Sequence, residues 1–311
     1  MIDYDSRFHA FLANCTLCPR ECGVNRFMDN DGYCGTGAGL NIASVCIHKG
    51  EEPPISGKYG ICNIFFYGCN LRCIYCQNHE ISQPRRIIRS QYDDLNSLLD
   101  RVEDVLSSGV KALGFVSPSH LVPQVKQIIN GVHGRGLHPV IVYNTNGYDK
   151  VETLKELDGL VDVWLPDFKY ASASLSKEFS DAADYPEVAL KALKEMYFQK
   201  GSRLLINEEG IAESGILIRH LVLPGYADNS REILRIIAEE LSTGVNISLM
   251  SQYHPVYRAE RHPVINRSLY AEEYQGVVEE MERLGFRNGW LQDRESNENY
   301  LPDFSREHPF E

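Results

Sequence analysis

Cysteine is the residue type with the clearest chemical pattern in this chain. All nine cysteines lie between Cys15 and Cys76. An odd number of cysteines in a chain without an export signal argues against a disulfide scaffold, and clustering of this kind is typical of metal ligation or redox chemistry. Two tight groups stand out from the isolated Cys46 and Cys62, which we interpret as buried apolar thiols. The sequence therefore predicts metal or redox chemistry near the N-terminus.

The second group is a triplet with C-x3-C-x2-C spacing, formed by Cys69, Cys73 and Cys76. Three neighbouring thiolates can hold three irons of a cubane cluster, which ordinarily takes four cysteine ligands, so one iron would be open to a small molecule. Zinc is the alternative, but a structural zinc site takes four ligands. Cys62 or a cysteine of the first group would have to complete it. The spacing favours a three-cysteine [4Fe-4S] cluster.

The first group has the spacing C-x2-C-x3-C-x11-C and consists of Cys15, Cys18, Cys22 and Cys34. Glycine and proline residues beside these cysteines supply the turns that a metal site needs. A tetrahedral zinc ion and a second iron–sulfur cluster are both compatible with four thiolates. Four reduced thiols without a metal are the remaining alternative. We expect a bound metal here, either zinc or iron–sulfur.

The predicted secondary structure that positions these groups changes after residue 57. Residues 1–57 are rich in turn signals and are predicted to form a small Cys-rich module, whereas residues 286–311 are polar and are interpreted as a tail covering the barrel. Residues 58–285 alternate between strand and helix patterns. Strands are predicted at 61–68, 112–117, 139–145, 161–168, 216–224 and 245–253. Helices are predicted at 93–109, 120–136, 150–159, 185–201, 230–242 and 271–285.

Six β-α units imply an α/β fold with a parallel sheet and right-handed crossovers, either doubly wound or an incomplete barrel. Both architectures place ligand sites at the carboxyl ends of the strands. Polar and ionisable side chains that could bind a ligand or take part in catalysis do lie at or after the predicted strand ends. Besides the triplet, they are Ser117, His120, Asn144, Asn146, Asp167, Lys169, Arg219, His220 and His254. The sequence therefore predicts a pocket at this end of the sheet.

The composition narrows the classes of partner. The chain has 311 residues, of which 43% are hydrophobic, which is enough for a globular core. Its formal net charge is -12, unlike that of a general nucleic-acid binder. No apolar stretch approaches the roughly 18–20 residues of a membrane-spanning helix, and the first residues lack the pattern of a secretory signal. We expect a cytoplasmic protein that binds neither nucleic acid nor membrane.

A cysteine triplet at the end of strand one, in a chain of six β/α units, resembles the radical S-adenosylmethionine (SAM) superfamily. Further stretches make the chain similar to the PflX-like branch of the pyruvate formate-lyase activating enzyme relatives. The stretches are CTLCPRECGVNR (15–26), EEPPISG (51–57), FFYGCNLRCIYCQNHEIS (65–82), YNTNGY (143–148), WLPDFKY (164–170), IRHLVLPG (218–225) and QYHPVYRA (252–259). The resemblance implies a partial (β/α)6 TIM-like barrel that carries the Cys-rich module.

The resemblance also implies a mechanism. SAM chelates the open iron through its amine and carboxylate, the reduced cluster donates an electron, and the carbon–sulfur bond breaks. The resulting 5′-deoxyadenosyl radical abstracts hydrogen from a substrate inside a pocket closed to water. Implied partners are a reductant such as flavodoxin or ferredoxin and a glycyl-radical enzyme whose backbone glycine is the hydrogen donor. Modification of another peptide or a small molecule is the alternative, and non-catalytic electron transfer and zinc binding are the competing classes.

Family membership would assign SAM contacts to particular side chains. Asp167 and Lys169 match an Asp-x-Lys after strand four, Arg219 matches an arginine of strand five, and His254 a histidine after strand six. Tyr75 occupies a position where an aromatic ring often lies near the adenine. Considered without the resemblance, the same residues would be a solvated ion pair, a structural histidine and a packed ring.

Two positions depart from the family pattern. Where relatives carry a Gly-Gly-Glu-type stretch that holds the SAM amine, this chain offers Ser117 or Ser119 as the acceptor. Strand three ends with Asn144 and Asn146 near the place where some glycyl-radical activating enzymes have an aspartate beside a monovalent cation. A neutral asparagine weakens the expectation of that ion, although we retain Asn144 as a cofactor-binding candidate.

Two further segments bear on the pocket. The tail contains three aromatic residues that are candidates for a cover or for a packed strap: Trp290, Tyr300 and Phe304. His48, Glu51 and Glu52 lie at the joint between the module and the barrel. They are expected to be exposed linker residues, with a place in the pocket as the alternative.

Overall fold

The computed structural model describes residues 4–28, 32–83, 90, 92, 94–292, 302–306 and 309–310. Within this part of the chain, nine strands form one sheet. They are β1 (Ile42–His48), β2 (Ile61–Phe66), β3 (Ala112–Val116), β4 (Val140–Thr145), β5 (Val163–Pro166), β6 (Leu205–Ile206), β7 (Ala212–Leu221), β8 (Asn246–Met250) and β9 (Gly289–Leu291). Their order is β1-β2-β3-β4-β5-β7-β8-β9, and β6 pairs antiparallel with β7.

The sheet is a partial barrel that does not close. β1 runs antiparallel to β2, and every later pair along the order, from β2 to β9, is parallel. β1 and β9 are the two ends of that order within the described residues. The six predicted strands are all present, so the predicted mixed α/β fold with a partial barrel is confirmed. β9 adds a seventh parallel strand, within the segment that we expected to be irregular.

Helices alternate with the strands. They are α1 (Ser6–Ala13), α2 (Pro53–Ser56), α3 (His79–Ser82), α4 (Leu95–Ser107), α5 (Val122–Gly134), α6 (Val151–Leu154), α7 (Ala173–Ser180), α8 (Tyr185–Lys200), α9 (Ala227–Glu240) and α10 (Ala271–Leu284). Short 3-10 turns occupy Lys155–Leu157 and Tyr257–Arg261. None of the described helices has both the length and the hydropathy of a membrane-spanning segment.

The sequence of α4 shows why these helices form where they do. The carboxylate of Asp94 accepts a hydrogen bond of 2.9 Å from the backbone N–H of Ser97, which satisfies a donor that the first turn leaves free. Leu98, Val102 and Val105 then recur at helical spacing and are buried in the main core. The cap sets the start of the helix, and the apolar stripe orients it toward the sheet.

Side-chain alternation along the strands separates two environments. In β7, Ile216 and Ile218 belong to the core shared with the helices, whereas Leu217 belongs to a smaller core inside the barrel. Arg219 continues the inward series and lines a cavity, and His220 returns to the outer side. The inner positions therefore pass from the small core at Leu217 to the cavity wall at Arg219 and Leu221.

Sequence reasoning missed α1, β1, α7 and β9. α1 and β9 are short, with 8 and 3 residues. α7 has a polar sequence that periodicity does not single out. β1 pairs with β2 over six registered positions, so the N-terminal segment contributes an edge strand to the barrel sheet. The domain boundaries after residues 57 and 285 remain predictions.

The start of α10 depends on Glu273, whose carboxylate accepts bonds from Arg267 and from the N–H groups of Tyr270 and Gly225. The Arg267 bonds and these N–H groups lower its pKa to about 2, against the opposing effect of partial burial. A lowered carboxyl pKa stabilises the fold above the unfolded-state pKa, and that contribution is lost as pH falls toward 2.

We therefore expect Glu273→Gln to lower the free energy of unfolding by about 1–3 kcal/mol at neutral pH, measured by urea denaturation. The difference from the wild-type chain should narrow as pH is lowered from about 7 to about 4, because the wild-type carboxylate loses its advantage. The matched control is Glu272→Gln, a substitution of the neighbouring glutamate, which is exposed. A constant difference across this pH range would contradict the assignment.

Candidate functional site

A cavity of about 640 Å³ opens at the carboxyl ends of the parallel strands. Ten barrel residues that the sequence assigned to the cluster or to SAM line it, and Ser119, the alternative to Ser117, does not. These residues are Cys69, Cys73, Tyr75, Cys76, Ser117, Asn144, Asp167, Lys169, Arg219 and His254. Their positions in the sequence span nearly two hundred residues, so the fold assembles the predicted set in one place.

The cysteine triplet occupies the loop that follows β2. Asn146 Nδ2 lies 3.4 Å from the sulfur of Cys69, and the Ser180 hydroxyl donates to the sulfur of Cys73 at 3.0 Å. The Ser82 hydroxyl lies 3.2 Å from the sulfur of Cys76. Each thiol therefore has a polar neighbour that can hydrogen-bond to it when it is deprotonated. Such outer contacts orient and tune sulfur ligands.

The three thiols also act on one another electrostatically. Burial, with a smaller contribution from the neighbouring Cys73, raises the pKa of Cys69 to about 11 and that of Cys76 to about 12. The ammonium of Lys169 opposes this by lowering the pKa values of Cys69 and Cys73. Three thiolates in one buried place need positive charge to be stable, and an iron–sulfur cluster supplies it. The donor set therefore fits such a cluster.

Four charged side chains form an alternating row beside the triplet. Lys169 Nζ lies 2.5 Å from Asp167 Oδ2, and Arg219 Nε lies 3.0 Å from Asp167 Oδ1. Arg219 Nη1 continues the row to Glu51 Oε2 at 2.8 Å. Burial alone would raise the pKa of Asp167, but Lys169 and Arg219 hold it below its usual value. The Asp167–Lys169 pair is therefore buried in the cavity wall and is not a solvated ion pair.

Both carboxylate oxygens of Glu51 have hydrogen-bond partners. Its Oε1 accepts hydrogen bonds from Asn63 Nδ2 at 3.1 Å and from Asn144 Nδ2 at 3.2 Å, and His48 Nδ1 lies 3.3 Å away. Burial would raise its pKa, but the His48 bond and the Arg219 charge lower it to about 2. Glu51 is therefore an ionised anchor in the wall of the cavity.

The neighbouring Glu52 has a different environment. Burial raises its pKa, with Glu51 adding to the effect and Arg219 opposing it. Its Oε2 is buried without a hydrogen-bond partner among the described residues, as is Nε2 of His48. All three residues line the cavity. The expectation that His48, Glu51 and Glu52 are exposed linker residues is wrong.

Ser117 and Ser119 differ in their position relative to the cavity. Ser117 lines the cavity with a left-handed backbone (φ +50°), which is unusual for a residue other than glycine. Its N–H donates to the carbonyl of Asn144 at 2.7 Å. Ser119 is buried against Thr145 Oγ1 at 3.1 Å. Of the two acceptors considered for the SAM amine, Ser117 is the one in the cavity.

The surroundings of two histidines at the strand ends indicate structural roles. His120 Nε2 lies 3.1 Å from the carbonyl of Tyr67, and burial with the nearby Arg26 charge lowers its pKa to about 3. His220 lies between the carbonyl of Phe168 and the hydroxyl of Ser230, at 2.6 and 2.8 Å. Burial lowers its pKa to about 4. Both side chains are used by the fold.

Aromatic residues form much of the remaining wall. The hydroxyl of Tyr75 lies 2.6 Å from that of Tyr170, and its ring packs edge-on against Tyr253 with centroids 6.0 Å apart. Trp290 of β9 and Phe310 also line the cavity. Phe304 packs on Phe65 at 5.3 Å, and the predicted cover residue Tyr300 lies outside the described residues.

Sequence reasoning missed two polar residues of the cavity region, Asn63 in β2 and Ser248 in β8. Asn63 interrupts the otherwise apolar strand ICNIFF, Ser248 lies between the apolar Ile247 and Leu249 of β8, and both are buried. A polar side chain at an inward position of a buried strand is the signal that would have identified them.

The four N-terminal cysteines lie close to one another. Cys15, Cys18 and Cys34 are buried and Cys22 is exposed. Burial, with smaller contributions from the other three thiols, raises the pKa of Cys18 to about 12. The described residues contain no group of three or more His, Cys, Asp or Glu side chains already arranged around a single ion position.

A buried arginine lies beside this group. Arg26 is 2% exposed and donates hydrogen bonds to Thr36, Gly37 and the carbonyl of His120, all of which are neutral. No ion pair involves Arg26 among the described residues. Its charge lowers the pKa of Cys15, against the larger raising effect of burial. A buried cation without a carboxylate favours thiolates over thiols nearby.

Comparison with known proteins adds a family match. The profile of the Radical SAM superfamily matches residues 63–237, slightly more than half of the chain. The uncharacterized protein MJ0674 of Methanocaldococcus jannaschii is 30% identical over 278 residues, which cover 87% of this chain and 75% of that protein. The uncharacterized protein MJ0808 of the same organism is 26% identical over 264 residues, covering 78% of this chain and 71% of that protein.

Among solved structures, the chain is similar in fold to SuiB of Streptococcus suis bound to the precursor peptide SuiA. The TM-score is 0.50 at 13% identity, and the match covers 77% of this chain. This chain spans about half of the SuiB chain, 50% of its length. At this identity the similarity concerns the fold alone.

The triplet loop depends on a close contact with the N-terminal segment. Gly68 has φ +76°, and a Cβ at this position would lie 2.2 Å from the carbonyl oxygen of Cys34. Gly35 has a similar φ of +69° but open space around it. Comparing alanine substitutions at Gly68 and Gly35 therefore separates the free-energy cost of the left-handed backbone from the cost of the steric overlap with Cys34.

We expect Gly35→Ala to lower the free energy of unfolding by about 1 kcal/mol, because only the left-handed backbone is penalised. Gly68→Ala should cost about 2 kcal/mol more, because the Cys34 backbone must also move. Urea denaturation of the two variants side by side checks this expectation. Equal losses would show that the Gly68–Cys34 contact does not constrain the loop.

Proposed function

The chain belongs to the radical SAM superfamily, and from this premise we propose that Cys69, Cys73 and Cys76 hold the [4Fe-4S] cluster at which SAM is cleaved. Family membership implies both the cluster and SAM. The observation that carries the assignment is that the three cysteines and seven residues predicted to contact SAM line one cavity. When bound, the cluster and SAM supply the one-electron chemistry that begins hydrogen abstraction.

The protein's own side chains would bind and orient SAM. Lys169 and Arg219 supply positive charge for a carboxylate, and Asp167 between them keeps both ordered. Ser117 offers a hydroxyl at the end of β3, and His254 lies across the same cavity. Tyr75, fixed by Tyr170, offers a ring against which a purine can pack. These roles are proposals that agree with the geometry.

Exclusion of water would come from aromatic residues near the C-terminus. Trp290 and Phe310 line the cavity, and Phe310 lies over the ring of His48 with centroids 4.2 Å apart. A dry pocket protects a reactive radical from side reactions. We assign this covering role to the segment after residue 285.

We propose further that the substrate is a glycine of a glycyl-radical enzyme, and that the reductant is a flavodoxin or ferredoxin. The motif resemblance to pyruvate formate-lyase activating enzyme relatives supports this choice. Another peptide or a small molecule is the alternative substrate class for the same chemistry.

Cys73→Ser is expected to reduce SAM cleavage to background, because one iron loses its thiolate ligand. The measurement is 5′-deoxyadenosine formed after anaerobic addition of SAM and dithionite, together with bound iron per chain. Cys46→Ala, at a buried cysteine outside both groups, is the matched control and should cleave SAM like the wild-type chain. Wild-type cleavage by the Cys73→Ser variant would overturn the cluster assignment.

The same assay tests the substrate. Addition of a glycine-loop peptide from a glycyl-radical enzyme should increase 5′-deoxyadenosine formation and leave a glycyl radical detectable by electron paramagnetic resonance. Unchanged product with the peptide would favour the alternative substrate class. A chain that is reversibly reduced but cleaves no SAM would be an electron-transfer protein.

We also propose a second metal, zinc or iron–sulfur, at Cys15, Cys18, Cys22 and Cys34. The support is the cation of Arg26, buried among neutral partners, which a negatively charged metal–thiolate site would compensate. Binding would draw the thiols together, with release of their protons.

Metal analysis decides between the two occupants. Beyond the triplet cluster, we expect about one zinc ion or about four additional irons per chain. Cys18→Ser should remove this increment, whereas Cys62→Ala, at a buried cysteine outside both groups, should retain it. An identical metal content in Cys18→Ser and the wild-type chain would show that the N-terminal cysteines are free thiols.

A further inference from the structure

Glu52 is an ionisable group of the cavity that has no role in the proposed function. Among the described residues, its Oε2 is buried, lines the cavity and has no hydrogen-bond partner. Ser248 lowers the pKa of the same carboxyl group, against the larger raising effect of burial. A buried polar atom without a partner is costly and calls for an explanation. A ligand donor at this position would provide one.

The adjacent histidine presents a second free acceptor. His48 Nδ1 lies 3.3 Å from Glu51 Oε1. An ionised carboxylate can only accept, so this contact needs the hydrogen on Nδ1, whereas Asn63 Nδ2, 3.4 Å from the same Nδ1, could donate only to the other tautomer. We assign the hydrogen to Nδ1 because the contact with the charged Glu51 is the shorter of the two. In the neutral ring Nε2 is then an acceptor, and it is also buried without a partner among the described residues. Glu52 Oε2 and His48 Nε2 are therefore two buried acceptors without partners, and a ligand group with several N–H donors would satisfy both.

The charges of the cavity favour a cation as that group. Lys169 and Arg219 are matched by Asp167 and Glu51 within the alternating row. Glu52 and Lys49 also line the cavity, but Lys49 is exposed and no ion pair joins it to Glu52 among the described residues. A cationic ligand would therefore give the buried carboxyl group of Glu52 a partner that it lacks. The ammonium of Lys169 lies at the cysteine end of the row and would repel a cationic ligand there. The Glu52 end is the place where a cation is favoured.

Aromatic rings border this end of the cavity. The ring centroid of Phe310 lies 4.2 Å from that of His48, and Trp290 is in register with Ser248 across β8 and β9. Both aromatic residues line the cavity. Such walls favour an alkyl chain that ends in a cation. They disfavour a phosphate or carboxylate group.

We propose that Glu52 is a substrate-binding residue whose Oε2, together with Nε2 of His48, receives a primary ammonium group of the substrate. The group can belong to a small amine or to a lysine side chain of a peptide, since both present the same chemistry. The assignment rests on the proposed function, because it names the substrate group that enters the same cavity.

The experiment measures binding and needs no SAM cleavage. Isothermal titration of the full, cluster-loaded chain, kept anaerobic without reductant, gives Kd for n-butylammonium and for Nα-acetyl-lysine N-methylamide. Glu52→Gln should weaken at least one of them by about tenfold or more, as expected for a lost charged hydrogen bond. Binding of both probes, or of n-butylammonium alone, supports the proposal and distinguishes the two sources of the ammonium group.

Controls separate this role from a structural one. The exposed Glu208→Gln should bind the probes like the wild-type chain, and n-butanol, which lacks the charge, should bind equally to wild type and Glu52→Gln. Glu52→Asp keeps the carboxylate and should keep a preference for n-butylammonium over n-butanol, which maintains the test if Glu52→Gln does not fold.

Two results would overturn the proposal. One is equal ammonium binding by the wild-type chain and Glu52→Gln. The other is a loss of SAM affinity in Glu52→Gln as large as the loss of n-butylammonium affinity, because Glu52 would then serve the amine of SAM. A chain that binds n-butylammonium through Glu52 but cleaves no SAM would refute the proposed function and leave the amine site intact.

Discussion

Four charges buried in the cavity wall hold the surrounding elements in place. Lys169, Asp167, Arg219 and Glu51 alternate in sign, and removal of either inner member, Asp167 or Arg219, would leave a buried neighbour without its ion-pair partner. Asp167 and Lys169 follow β5, Arg219 belongs to β7, and Glu51 precedes α2. The row therefore fixes the joint between the N-terminal segment and the barrel, and it does so inside the cavity where charge is needed for binding.

Much of this arrangement was predictable because it follows from local rules. Strand and helix periodicity gave the six parallel strands, and residues placed after those strands share one edge of a parallel sheet whatever their distance in sequence. That is why Asp167 and Arg219 were identified before their contact was known. Cysteine spacing alone identified the triplet, because ligation by neighbouring residues is itself a local pattern.

The remaining features depend on contacts that no local pattern contains. Glu51 bonds to Arg219 across a separation of 168 residues, so its burial could not be inferred from a charged stretch beside two prolines. β1 and β9 are strands because partners elsewhere in the chain hydrogen-bond to them. His220 and Arg219 are adjacent in sequence but point to opposite faces of β7, and a residue-type argument without the alternation treats them alike.

The open sheet has a consequence for the size of what the enzyme can accept. In a closed barrel, the circumference is fixed by the number of strands and their stagger, so widening the mouth would break a ladder of hydrogen bonds. Here the outermost strands, β1 and β9, are not hydrogen-bonded to each other in the described structure. The gap between them can therefore widen without breaking an interstrand hydrogen bond, so a closed ladder of strands does not limit the size of what enters the cavity.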